Sequence, residues 1–254
     1  MRIAALATLA ALVGASAPAC AELPGTFAVP APGALRLLEE AGLPREPLHR
    51  ALRAFACGRA RGYFAAPILT LVDYSLPSSE RRLWVLDLES GDVRFHDLVS
   101  HGRGSGTGRA TAFSNEPGSQ QSSLGLFRTG ETYVGRHGYS LRLDGLERGV
   151  NDRARERAVV IHGAGYASAE FSARHGRLGR SLGCPALDPA VHREVIDAIR
   201  GGTALFAYYP DADWLASSRF QACEELEREG LFVTAWRGGA SVPLRALQRW
   251  IGAP

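Results

Sequence analysis

Ser181-Leu182-Gly183-Cys184-Pro185-Ala186, downstream of Val159-Val160-Ile161-His162-Gly163, decides how the rest of the chain is read. The upstream run is apolar and β-branched and ends in His-Gly, the pattern of a buried strand that delivers a histidine at its end. In the downstream run Gly183 permits a tight turn, and Pro185 prevents a helix or central strand from continuing through the cysteine. A thiol becomes a useful nucleophile at neutral pH when a base or positive field stabilises its thiolate. His162 is the candidate base, and Arg177 and Arg180 lie just upstream of Cys184. The competing reading makes Cys184 a small buried hydrophobe and His162 a satisfied core histidine.

Working outward, Ile68-Leu69-Thr70-Leu71-Val72-Asp73 reads as a strand. Arg82–Asp87 and Val93–Val99 read as a hairpin around the polar turn Glu89-Ser90-Gly91-Asp92. The stretch His101-Gly102-Arg103-Gly104-Ser105-Gly106-Thr107-Gly108 has no Gly-Lys-Ser/Thr after it, so it reads as a flexible loop over a cleft rather than a phosphate cradle. Tyr133–His137 leads through a turn to a short strand at Leu141-Arg142-Leu143. Asn151–Arg157 reads as a polar surface connection, Tyr166–Gly179 as a long loop or short helix, and Ala204–Tyr209 as a closing strand. Helices are expected at Ala34–Ala41, from Pro44 until Gly58 and Gly62 end it, and from Pro189 to Arg200 with Asp188 as N-cap. Beyond Asp211, Gln221–Glu229 and Leu244–Ile251 look helical and Leu231–Trp236 strand-like.

These segments, in this order, resemble the murein L,D-transpeptidase catalytic-domain family with its YkuD-like fold. In that family a histidine at a strand end precedes a Ser/Thr-x-Gly-Cys segment, here His162 and Ser181-Leu182-Gly183-Cys184. The His-Gly-x-x-Ser-Gly segment at His101 and the Ser-Ser-Leu-Gly segment at Ser122 are similar to one branch of it, and the likeness runs roughly from Asp73 to Tyr209. Leu182 stands where many members carry a second histidine, and the spacer from His162 to Ser181 is slightly longer than in the commonest members. The resemblance implies an α+β, β-rich domain on a mixed β-sheet or sandwich, with N-terminal helices and a C-terminal extension added to it here. The expected divisions are a signal peptide over 1–21, linker and N-terminal helices over 22–62, the catalytic domain over 63–210 and the extension over 211–254.

It also implies peptidoglycan stem peptides as partners. Cys184 would form a thioester with a donor stem, releasing D-alanine, and an acceptor amine would complete a 3→3 cross-link. Attack by water would make the protein an L,D-carboxypeptidase instead. The expected catalytic residues are Cys184, His162 as base, Ser181 orienting His162 through its hydroxyl or carbonyl, and Gly183 among the backbone N–H groups that hold the oxyanion. Arg180 and His101 are the expected substrate contacts. No metal or organic cofactor is implied. A catalytically silent wall-binding module is one rival reading, and a metal site from His101, His162, His175 and Cys184 is another.

Composition sets the bounds. The chain has 254 residues, 46% of them hydrophobic, and a formal net charge of +3. No Lys/Arg cluster interleaved with aromatics marks a nucleic-acid footprint. Met1-Arg2, the apolar run Ile3–Val13 and Ala19-Cys20-Ala21 form a secretory signal, with cleavage expected after Ala21. The mature protein is therefore expected in the periplasm or cell envelope, without a transmembrane helix. Of four cysteines, removal of Cys20 leaves an odd set of Cys57, Cys184 and Cys223. With Cys184 reserved for chemistry, the expected disulfide is Cys57–Cys223.

Overall fold

Pro44 sits in an extended conformation (φ −67°) immediately before helix α1, Arg45–Ala60, where its missing N–H removes nothing the helix needs. The buried face of α1 includes Leu48, Ala51, Leu52 and Phe55 and packs against two neighbouring central strands of the sheet, Ile68–Asp73 and Ala204–Tyr208. Gly58 does not end the helix. A Cβ there would come within 2.4 Å of the Phe64 ring, so the glycine serves close packing and the helix runs on to Ala60. The computed structural model describes residues 42–223 and two short strands, Val233–Thr234 and Ser241–Val242. The expected signal, the helix over 34–41 and the helices over 221–229 and 244–251 lie wholly or almost wholly outside the described residues.

Eight strands form one mixed sheet: β1 (Ile68–Asp73), β2 (Leu83–Asp87), β3 (Asp92–Asp97), β4 (Gly125–Gly135), β5 (Gly138–Gly145), β6 (Val160–Gly163), β7 (Ala186–Leu187) and β8 (Ala204–Tyr208). Their order is β3-β2-β1-β8-β4-β5-β6-β7. β1 and β8 pair in parallel, as do β6 and β7, and the other neighbours are antiparallel. β1, β2 and β8 are buried along their whole length, which is why they read as continuous apolar runs. β3 is one of the two edge strands, and its residues are exposed or half-buried throughout. β4 and β5 are longer than their apolar residues suggest. They meet in a hairpin whose loop is Arg136-His137, with a register shift between Thr129 and Thr132.

Three short α-helices, α2 (Ala169–His175), α3 (His192–Ile199) and α4 (Ala212–Ser217), and two 3-10 turns, Arg103–Ser105 and Gly165–Ala167, complete the fold of residues 42–223. α3 begins later than expected because Asp188 closes a turn first. Its carboxylate accepts the Ala190 N–H, and its carbonyl accepts the N–H groups of Val191 and His192. Residues 211–223 are pinned to the sheet by the buried Glu147. One carboxylate oxygen accepts the Leu126 N–H (2.8 Å), and the other accepts Trp214 Nε1–H (3.2 Å) and the Ser218 hydroxyl (2.7 Å). The Cys57–Cys223 disulfide joins α1 to the same segment, as expected. Val233–Thr234 and Ser241–Val242 form their own antiparallel pair.

Candidate active site

β6 and β7 are direct neighbours, with His162 opposite Ala186. This pairing brings the histidine strand beside the turn that carries Cys184. The turn is closed by Ser181, whose hydroxyl accepts the Gly183 N–H (3.1 Å) and donates to the Cys184 carbonyl (2.6 Å). Gly183 has φ +124°, and a Cβ there would lie 2.8 Å from the Gln121 carbonyl oxygen. No other residue type fits both the angle and the space. Because Ser181 takes the Gly183 N–H, that group is not available to an oxyanion. The Leu182 and Cys184 N–H groups have no acceptor among the described residues, so they are the open donors of the turn. The Leu182 side chain is 53% exposed.

The Cys184 sulfur is half-buried and is the free thiol of the described residues. It accepts the Val160 N–H (3.5 Å) and donates to the Ala158 carbonyl (3.7 Å). Ala158 holds φ +53°, a left-handed conformation that costs a non-glycine residue about 1–2 kcal/mol. Burial pushes the thiol pKa up, and the Val160 N–H, Arg157 and Arg136 act against that push.

His162 is buried at the end of β6. Its Nδ1 lies 3.1 Å from the Gly163 carbonyl oxygen. A carbonyl only accepts, so Nδ1 carries the proton and Nε2 keeps its lone pair. Burial lowers the pKa of the ring, the Gly163 bond opposes that, and His137, His192 and Arg136 lower it further. The resting pair is therefore a neutral thiol and a neutral imidazole. No hydrogen bond joins them among the described residues. Catalytic contacts of this kind are often long without substrate and tighten when it binds.

Ser181 does not orient His162, contrary to expectation. Its hydroxyl is committed to the turn, and its carbonyl accepts the Arg103 N–H (2.8 Å). The orienting carbonyl is that of Gly163. His101 is also placed differently from a substrate contact. Its side chain is fully buried, because Arg82, itself buried beneath it, donates to His101 Nδ1 at 2.8 Å. Arginine only donates, so the His101 proton sits on Nε2, which faces the Gly106 carbonyl at 3.4 Å. Burial, then Arg82, lowers the His101 pKa to about 4. The glycine-rich stretch is packed rather than flexible. A Cβ on Gly102 would meet the Gln120 carbonyl at 2.3 Å and Gly183 Cα at 2.9 Å. Its backbone runs beside the cysteine segment through Ser181 N–H to His101 carbonyl (3.0 Å) and Arg103 N–H to Ser181 carbonyl. Arg180 donates to the Gly106 carbonyl (3.2 Å) through one terminal nitrogen and has further N–H groups to offer a carboxylate.

Two neighbours of the pair gave no signal in the sequence. His137, at the β4–β5 tip, stacks on His162 with ring centroids 4.5 Å apart. Arg136 Nε donates to its Nε2 (3.1 Å). Arg157, in the stretch expected to be a surface connection, reaches back under the Gly183–Cys184 turn. Its Nη1 donates to the Ser114 carbonyl and the Ser123 hydroxyl (2.6 Å each), and its Nη2 to the Gln121 carbonyl (2.6 Å) and the Ser119 hydroxyl (3.2 Å). Strand register and tertiary packing bring both residues here, and no local motif encodes either. Among the described residues no three His, Cys, Asp or Glu side chains converge to hold a metal, and no helix is long and apolar enough to cross a membrane.

A thiol in a glycine turn with two open N–H donors, beside a strand that ends in a neutral histidine, is equipped for acyl transfer through sulfur. The chain belongs to the L,D-transpeptidase catalytic-domain family, whose model matches residues 39–208. Solved structures similar to it include an L,D-transpeptidase from Mycobacterium smegmatis (16% identity, TM-score 0.35, covering 57% of this chain and 60% of that one). Others are Mycobacterium tuberculosis L,D-transpeptidase 1 (15%, 0.31, 56% and 62%) and Bd1075 of Bdellovibrio bacteriovorus (13%, 0.37, 65% and 56%). The chain thus spans less than two thirds of each of these proteins. No curated protein matches the sequence.

Proposed function

We propose that this protein is a cysteine-dependent L,D-transpeptidase acting on peptidoglycan stem peptides outside the cytoplasm, in the periplasm or cell envelope. The observation that carries the reading is the 3.1 Å contact between His162 Nδ1 and the Gly163 carbonyl oxygen. With its proton held on Nδ1 by the Gly163 carbonyl, the ring presents a basic Nε2 from the strand adjoining the Cys184 turn. His162 Nε2 takes the thiol proton, and the sulfur attacks the carbonyl that follows the L-centre of the donor's diamino acid. The Leu182 and Cys184 N–H groups face the developing oxyanion, each such donor being worth roughly 3 kcal/mol. The C–N bond breaks, His162 returns the proton to the departing D-alanine amine, and a thioester remains. An acceptor amine then displaces the sulfur to give a 3→3 cross-link. Ser181 acts by holding the turn, and Arg180 offers its free N–H groups to a stem carboxylate.

The test is mass spectrometry of muropeptides after the mature chain is incubated with a tetrapeptide-stem donor. Released D-alanine with cross-linked dimers supports the reading. D-alanine with tripeptide stems alone would make the protein an L,D-carboxypeptidase. Binding without any turnover would make it a wall-binding module.

A further inference from the structure

The guanidinium of Arg157 has no part in the proton transfers just described, yet it sits against the nucleophile's turn. A Cβ on Gly183 would lie 3.4 Å from its Nη2. The residue that follows it, Ala158, supplies the carbonyl to which the Cys184 thiol donates. All four terminal N–H groups go to neutral acceptors, namely two carbonyls and two serine hydroxyls. No carboxylate among the described residues forms an ion pair with it; Glu116 acts on it only through its field, from an exposed position where its carboxylate pairs with Arg153. A guanidinium with its fork fully engaged by the protein is poorly suited to clamp a substrate carboxylate. It is well suited to hold a positive charge at one fixed place.

We propose that Arg157 is a positioning residue for the nucleophile: its anchored, unneutralised charge beside the Gly183–Cys184 turn favours the thiolate of Cys184. The inference rests on Cys184 as the reacting thiol. Besides His162 on the adjoining strand, three other titratable groups interact with Cys184. Tyr74 is buried and interacts with Ser122, and burial pushes Tyr166 up to about 12, so both are neutral phenols at working pH. His162 is neutral. Arg136 is exposed at the hairpin tip, where water and salt screen its field. Arg157 is the remaining charge, and it is part-buried and rigid. The thiolate gains a compensating cation without a proton donor next to it, so nothing competes with His162 for the proton.

The experiment is the pH dependence of iodoacetamide alkylation of Cys184 in the mature chain, followed by intact mass with the Cys57–Cys223 disulfide closed. An opposite charge within about 4–6 Å shifts a pKa by about 1–3 units. Arg157→Gln is therefore expected to raise the thiol pKa by at least about 1 unit and slow alkylation at pH 7.5 by about tenfold or more. Arg157→Lys, which keeps the charge without the fork, should recover most of the rate. Arg136→Gln should change it far less. Ser119→Asp leaves the guanidinium in place but neutralises it, and is expected to shift the thiol in the same direction. This variant decides the matter if Arg157→Gln does not fold. A folded Arg157→Gln or Ser119→Asp protein whose thiol titrates as the wild type does would overturn the proposal, as would equal titration by Arg157→Lys and Arg157→Gln. Alkylation reads the thiol alone, so failure here is distinct from failure of the transpeptidase reading, which the muropeptide assay tests.

Discussion

Replacing Ser181 by alanine removes one hydroxyl and two hydrogen bonds, the 3.1 Å bond from the Gly183 N–H and the 2.6 Å bond to the Cys184 carbonyl. Each is worth about 1 kcal/mol net, so the turn loses about 2 kcal/mol. For a domain of this size that lowers Tm by about 4–8 °C. If the same energy holds the sulfur and the open Leu182 and Cys184 amides in their reactive arrangement, acylation slows by up to about thirtyfold. The assay pairs calorimetry with the rate at which a carbapenem, a strained acylating probe suited to this family, adds to Cys184 by intact mass. Ser181→Thr keeps the hydroxyl and is expected to recover most of both quantities. A Ser181→Ala protein that loses stability yet acylates at the wild-type rate would refute the idea that the hydroxyl positions the nucleophile.

Other expectations are simpler. Cys184→Ala should show no carbapenem adduct, and His162→Ala should acylate about 10²–10⁴-fold more slowly, so a folded Cys184→Ala protein with full turnover would dismiss the pair. His101 has a folded pKa of about 4 against an ordinary 6.5, so the unfolded chain takes up its proton first as pH falls. The stability this supplies is complete above pH 6.5 and is lost towards pH 4, by about 3 kcal/mol. Chemical denaturation across that range should show the loss in the wild type and much less of it in His101→Gln. Opening the Cys57–Cys223 disulfide by paired serine substitution should cost about 2–4 kcal/mol, read as a lower denaturation midpoint with the Cys184 alkylation rate unchanged.

Where burial is continuous, the sequence announces the structure. The strand at Ile68–Asp73 is apolar because every residue of it is buried, and Val160–His162 is legible for the same reason. The Gly183 turn was readable because an angle of +124° admits little else. Legibility fails where a residue's role is set by a distant partner. His101 sits among glycines that look mobile, but those glycines are there so that the backbones at Gln120 and Gly183 can approach closely. Its burial depends on Arg82, in a different strand region. Arg157 belongs to a run of alternating charge that resembles a solvated face. Only the path of residues 114–123 turns that face inward at this one position. The outer half of β4 is largely exposed, so the sequence placed a turn at His137 but gave no sign that this tip lies over His162.

Cys57 and Cys223 stand 166 residues apart, with Cys184 between them along the chain. Delivered N-terminus first into an oxidising compartment, as the proposed export implies, the chain presents Cys57, then Cys184, and only then Cys223. The first bridge open to it is therefore the wrong one, and it would consume the nucleophile. The correct pairing depends on order of events: Cys184 must be enclosed by β6, β7 and the Gly102 segment before an oxidant finds it, or the mispaired bridge must be exchanged afterwards. Once enclosed, the thiol is protected by the burial that raises its pKa, because exchange proceeds through the thiolate. The environment that keeps the sulfur quiet is also what lets a free thiol and a structural disulfide mature in the same chain.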